Sequence, residues 1–173
     1  MRRATAVPGN LKSKDYKMEL KAGKKAPSFS GVDQDGLKIS LADFKGKKLA
    51  LYFYPKDDTS TCTVQACNLR DGFKMLAKKG IEVIGVSPDD RTSHLKFIGK
   101  HKLPFRIIAD TERKVIEKFG LWAEKSMYGR KYMGVLRTTF LIDEKGIIRK
   151  IIEKPKSSDH SNEILEEWKK AEK

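Results

Sequence analysis

The chain has 173 residues, 39% of them hydrophobic and 35% charged, with 37 Lys and Arg against 23 Asp and Glu and a formal charge of +14. That length holds one domain with its own apolar core. The composition excludes a disordered chain, and no apolar run approaches the ~18 residues of a membrane span. The basic excess would suit nucleic acid or another anionic partner. The lysines, however, are spread along the whole sequence with acids among them, which is the pattern of a solvated surface.

The N-terminal stretch MRRATAVPGNLKSKDYK has two arginines but no apolar centre, so it is not a secretory signal, and it matches a transit peptide only weakly. It is polar and carries Pro8 and Gly9, so residues 1–17 are expected to form a flexible tail before a single domain over 18–173. From Val32 to Leu37 an Asp-Gly turn signal lies between short extended pieces, which predicts a hairpin. Leu49 to Tyr54 is apolar throughout, as a strand covered on both faces is, and Pro55 ends it. Thr61 to Lys79 turns helical, with Val64, Leu69, Phe73, Leu76 and Ala77 roughly on one face and Gly80 as the stop. Ile81 to Ser87 is a second buried strand, and Thr92 to Lys100 a helix. A third strand follows over Phe105 to Ala109, then a short helix from Thr111 to Phe119. Arg137–Ile142 and Gly146–Ile152 predict a hairpin over Asp143-Glu144-Lys145-Gly146, and Asn162 to Lys170 a closing helix. Strands alternating with helices imply an α/β fold with a mixed central sheet.

The chemistry concentrates at one corner. YFYPKDDTSTCTVQAC, from Tyr52 to Cys67, holds the only two cysteines. In open α/β sheets, sites form where strands end and helices begin. Cys62 falls in the first turn of the predicted helix, where unpaired N–H groups and the positive end of the helix dipole favour thiolate over thiol. A lone cysteine there reads equally well as a buried, inert one; the second thiol tips the balance. Cys67 follows five residues later. On an intact helix the two side chains point roughly 140° apart with Cα atoms about 8–9 Å distant, beyond the ~7 Å limit for a disulfide. They can pair only if the first turn or two unwinds. Two cysteines without a secretory signal also suit a reducing compartment, the cytoplasm, where such pairs serve catalysis or metal binding more than structure. A zinc site needs two further ligands and a Cys–His protease needs a base beside Cys62. His94, His101 and His160 cluster with neither cysteine in the sequence, and each reads as a solvated surface residue.

These residues resemble the peroxidatic loop of peroxiredoxins: Pro, three residues, Thr, two residues, Cys, here Pro55, Thr59 and Cys62. A second cysteine five residues on, as Cys67 is, is similar to the bacterioferritin-comigratory or Q-type subgroup. KAGKKAPSFSGVDQDG resembles the family's opening, EKSMYGRKYMGVLRTTFLIDEKG a later signature and KPKSSDHSNEIL the ending, so the likeness runs from Met18 to Lys170. It implies a thioredoxin-like fold, helices on both faces of the sheet, and a thiol peroxidase with no metal or organic cofactor. It also implies roles. Cys62 is the peroxidatic and Cys67 the resolving cysteine, Thr59 bonds the peroxide, Pro55 shields the thiolate, and Arg137 stands beside the sulfur. The implied partners are peroxide substrates and thioredoxin or a similar dithiol, with no nucleic acid and no membrane, and the implied state is a monomer or at most a weak dimer.

Two departures from the family pattern stand out. Ser60-Thr61 replaces Pro-Gly before the cysteine, and either residue is a candidate helix cap. Gln65 replaces a glutamate three residues after it, which would leave the charge of Arg137 to the thiolate. Two rival readings remain. A general thiol–disulfide oxidoreductase on the same fold would have a CxxC pair and a proline before the facing strand, where this chain has CTVQAC and RTTF. A basic nucleic-acid module would gather its cations with aromatics on one face. Phe44, Trp122 and Tyr128 are candidates for pocket walls, though core or surface packing suits each of them as well.

Overall fold

The structure, a computed structural model, describes residues 20–172. The expected tail over 1–17 lies outside the described residues. A hairpin of β1 (Ser30–Val32) and β2 (Lys38–Ser40) leads through a 3-10 turn (Leu41–Phe44) into β3 (Lys48–Phe53). There follow α1 (Ser60–Asp71), α2 (Phe73–Lys78), β4 (Ile81–Ser87), α3 (Arg91–His101), β5 (Arg106–Ala109) and α4 (Lys114–Lys118). A second hairpin, β6 (Trp122–Met127) and β7 (Arg130–Val135), precedes β8 (Thr138–Ile142), β9 (Ile148–Glu153), a 3-10 turn (Ser157–Asp159) and α5 (His160–Ala171). Among the described residues no helix is long and apolar enough to cross a membrane.

The central sheet has the order β5-β4-β3-β8-β9, parallel from β5 to β3 and antiparallel beyond. β3 is innermost, which is why its sequence is apolar on both faces. Leu49, Leu51 and Phe53 point into one apolar cluster, with Val115 and Ile116 of α4 and Phe29 near the first hairpin. The alternate residues Ala50, Tyr52 and Tyr54 point into the other, with Ala66 and Leu69 of α1, Leu76 of α2, Phe97 of α3 and Ile164 of α5. This period of two along one strand separates the layers and gives the thioredoxin-like sandwich, with helices on both faces. Gly85 of β4 pairs with Tyr52, and a Cβ there would sit 3.0 Å from the Tyr52 ring. The glycine makes room for the aromatic.

Two turns share one local chemistry. Asp33 Oδ1 accepts from the backbone N–H of Asp35 and Leu37, and Asp143 Oδ1 accepts from Lys145 and Ile147. Gly36 and Gly146 complete the turns, each at φ +79°, where a side chain would strain the backbone. Arg106 of β5 also donates to Asp33 Oδ2 at 2.7 Å. Burial alone would raise the Asp33 carboxyl, but Arg106 and these N–H groups outweigh it and hold it below the usual range.

Four expectations change. The single helix over Thr61–Lys79 is two helices broken at Gly72, where a Cβ would collide with the Ser161 side chain at the start of α5. The helix from Thr111 shortens to Lys114–Lys118 because Arg113 adopts a left-handed conformation, φ +59°. Burial raises the Asp110 carboxyl, which accepts from the N–H groups of Val115 and Ile116. The Trp122–Val135 hairpin is an addition: its tip, Tyr128-Gly129, has positive φ at both residues (51° and 77°), the requirement of a tight two-residue turn. The histidines are not solvated: His94 and His160 are fully buried, and the His101 side chain is 17% exposed.

Candidate active site

The site forms where β3 ends. Antiparallel register sets Phe53 of β3 opposite Thr138 of β8, so Arg137, in the two-residue link before β8, enters beside the exit of β3. From there Pro55–Thr59 loops into α1, whose own hydrogen-bond ladder begins with the Thr63 N–H on the Thr59 carbonyl at 2.9 Å. The N–H groups of Ser60, Thr61 and Cys62 therefore precede the ladder and form the positive end of the helix.

Cys62 and Gln65 are three residues apart and share one helix face, both buried. The guanidinium of Arg137 bridges them: Nη2 donates to Cys62 Sγ at 3.1 Å and Nη1 to Gln65 Oε1 at 2.6 Å. A cationic donor on sulfur favours the anion. Gln65 Nε2 is buried without a hydrogen-bond partner. A second cation stands nearby: Lys125 of β6 donates to the Val135 carbonyl at 3.0 Å. Burial lowers its pKa, Arg137 adds to the effect, and Cys62 opposes it. Tyr52, also beside Cys62, has a buried hydroxyl with no partner; burial, then the charge of Cys62, keeps that phenol protonated.

Cys62 is only 2% exposed and packs in the apolar cluster that holds Tyr52 and Tyr54, while Pro55, at the head of the loop, is half-buried. Thr59, not Ser60 or Thr61, is the helix cap residue, and its side chain makes no capping bond. Its hydroxyl donates to the Lys56 carbonyl at 2.9 Å, which leaves the oxygen lone pairs free to accept. Both cysteines are free thiols on an intact α1. Cys67 is half-buried, with Sγ 3.8 Å from His101 Nδ1. Of the proposed wall residues, Phe44 lies in the core, Tyr128 is 99% exposed at the hairpin tip, and Trp122 lies under the Arg113 guanidinium at 4.4 Å.

The loop before α1 is tied down by a polar network that sequence reasoning missed. Asp57 Oδ2 accepts from Ser93 Oγ at 2.8 Å and faces His94 Nδ1 at 2.7 Å, and Oδ1 accepts from the Tyr54 hydroxyl. The Asp57 N–H donates to Asp89 Oδ2 at 2.8 Å. On its far side His94 Nε2 donates to the Ile108 carbonyl at 3.1 Å. One residue on, Asp58 at φ +59° holds Lys100 Nζ at 2.8 Å and His101 Nε2 at 3.2 Å. Asp57 and Asp58 were visible in the sequence, but apart from Tyr54 their partners lie 32 to 43 positions away and no spacing rule reaches them.

Comparisons with known proteins agree with this geometry. Residues 22–151 match the AhpC/TSA family. A putative peroxiredoxin bcp of Coxiella burnetii is 44% identical over 148 residues, 86% of this chain and 98% of the relative. Peroxiredoxin Bcp of Bacillus subtilis is 43% identical over 152 residues, 88% and 97% of the two chains. Among solved structures, Xanthomonas campestris peroxiredoxin Q superposes with a TM-score of 0.78 at 30% identity, covering 84% of this chain and 92% of that one. A strand–loop–helix corner that holds a thiol under a guanidinium, on a thioredoxin-like sandwich, defines a thiol peroxidase of the peroxiredoxin class. The chain belongs to the AhpC/TSA family, and within it its relatives are the Bcp and Q-type peroxiredoxins.

Proposed function

We propose that Cys62 is the peroxidatic sulfur, that Cys67 resolves it, and that the enzyme reduces hydrogen peroxide and organic hydroperoxides. The observation that carries this reading is the Arg137 Nη2 contact on Cys62 Sγ. The thiolate attacks the terminal peroxide oxygen in line. An S–O bond forms as the O–O bond breaks, the sulfur is oxidised to sulfenic acid, and the leaving alkoxide or hydroxide takes a proton from solvent. Charge moves from sulfur to the departing oxygen, and Arg137 and the N–H groups at the start of α1 are fixed donors along that path. The Thr59 oxygen accepts from the hydroperoxide proton, and Pro55 keeps water from the sulfur.

Cys67 then condenses with the sulfenic acid, and water is released. Both thiols sit on one intact helix, so this step requires the start of α1 to unwind. Thioredoxin or a similar dithiol restores the pair by exchange. The cytoplasm, a reducing compartment, suits a cycle that returns to two thiols. Both cysteines and Arg137 come from one chain, so a monomer suffices. The described residues act as one catalytic domain, and two apolar clusters that share one sheet support that reading.

The test is thioredoxin-coupled consumption of hydrogen peroxide and of an organic hydroperoxide. Cys62→Ser abolishes turnover of both. Cys67→Ser keeps one fast oxidation per enzyme and stalls recycling; turnover at the wild-type rate would remove Cys67 from the cycle.

A further inference from the structure

Cys67 Sγ, His101 and Asp58 form a line across three elements. Sγ on α1 is 3.8 Å from His101 Nδ1 at the end of α3, and His101 Nε2 is 3.2 Å from Asp58 Oδ1 in the loop before α1. A carboxylate at Nε2 places the imidazole proton on that nitrogen and leaves Nδ1 bare toward the thiol. Asp58 remains an acceptor because Lys100, then His101, hold its carboxyl below the usual range. The ring itself is held in place. Arg70 of α1 donates to the His101 carbonyl at 2.9 Å, and Phe97 meets the imidazole edge-on at 5.3 Å. The charged and titratable groups facing His101 are thus Asp58 from the loop, Cys67 and Arg70 from α1, and Lys100 from its own helix.

From this geometry we infer that His101 is the general base of the resolving step, positioned by Asp58, and that it removes the Cys67 proton. The inference rests on the reading of Cys67 as the resolving cysteine. His101 Nδ1 takes the thiol proton, and the Cys67 thiolate places its electron pair on the sulfenic sulfur of Cys62. The S–S bond forms and the S–O bond breaks. The leaving hydroxide takes the proton back from the imidazolium and departs as water. Cys67 is oxidised, the sulfenic sulfur is reduced, and His101 ends neutral.

Two measurements on the full chain test this. In Cys62→Ser protein, iodoacetamide alkylation of Cys67 is timed at pH 7; adding His101→Gln is expected to slow it about tenfold, since the thiolate is the species alkylated and its base is gone. In protein with both cysteines, one equivalent of hydrogen peroxide is added, and Cys62 oxidation and disulfide formation are timed separately by acid quench and mass spectrometry. His101→Gln is expected to leave the first rate unchanged and slow the second about tenfold. Asp58→Asn, which leaves the imidazole in place, shifts the second rate in the same direction by less. It provides the test if His101→Gln does not fold. Unchanged alkylation and disulfide rates overturn the inference, as does equal slowing of both oxidation steps, which would mean that His101 only holds the loop. The alkylation arm does not depend on turnover, so it reports on His101 even if Cys67→Ser recycles normally and the resolving assignment fails.

Discussion

Asp57 Oδ2 lies 2.7 Å from His94 Nδ1, and both residues are buried. The contact fixes the strand-to-helix loop to the first turn of α3 and gives that loop a rigid root. Asp57 also accepts from Ser93 and Tyr54. Asp57→Ala leaves three donors without their acceptor, two of them buried, and each buried donor left unpaired costs about 1–3 kcal/mol. Urea unfolding measures it; a loss of less than about 1 kcal/mol would show that the network relaxes or hydrates freely.

Arg137→Met removes both guanidinium contacts while keeping much of the side-chain volume. Loss of a donor aimed at developing charge typically costs about 10²–10³ in rate. Single-turnover oxidation by hydrogen peroxide should slow by that factor. A change under about fivefold would shift the burden of charge stabilisation to the helix N–H groups and Lys125.

Gln65→Glu places a carboxylate where Oε1 now accepts from Arg137 at 2.6 Å. The new charge pairs with the guanidinium and repels the neighbouring thiolate. It also replaces an orphaned amide nitrogen. Alkylation of Cys62 near pH 6 should slow about tenfold, the effect of a like charge worth one to two kcal/mol at this range. Faster alkylation in the glutamate variant would contradict the idea that the neutral amide leaves the arginine's charge to sulfur.

His160 gives a pH-dependent stability. It lies fully buried between Thr139 Oγ1 and Glu163 Oε1, each 2.8 Å away. Burial lowers its pKa, with Glu163 opposing and Arg137 reinforcing the shift. A folded value below the unfolded one means that the unfolded chain binds the extra proton, so stability falls as pH drops below the ordinary imidazole value of about 6.5. Above that value the contribution is flat. Thermal midpoints at pH 7.5 and 5.5 should therefore differ more in wild type than in His160→Gln. An equal difference in the two proteins would assign the acid sensitivity elsewhere.

Much of this was legible along the chain, and the reasons are local. Leu49–Tyr54 could be read as a central strand because both of its faces are apolar, and Asp33 and Asp143 announced their turns because each aspartate bonds its own following backbone. The reactive corner was legible because Pro55, Thr59 and Cys62 lie within eight residues of one another. The illegible parts are contacts between distant segments. The break at Gly72 depends on the approach of Ser161, and the burial of His94 depends on Asp57. The β6–β7 hairpin escaped because its turn places a tyrosine, rather than Asn or Asp, at positive φ. Lys125 was missed with it.

Asn68 follows Cys67 directly. Its side chain accepts from the Ser161 N–H at 2.8 Å and from Ser161 Oγ at 3.0 Å, and donates to the Ser158 carbonyl at 2.9 Å. The second half of α1 is thereby moored to the start of α5, while its first turn is held by the Arg137 contact on the Cys62 sulfur. Melting that begins at Ser60 meets an anchor one residue beyond Cys67. Any opening between the two sulfurs therefore ends at a fixed point, with Leu69 beyond it still seated in the apolar layer, and the helix re-forms from that stump.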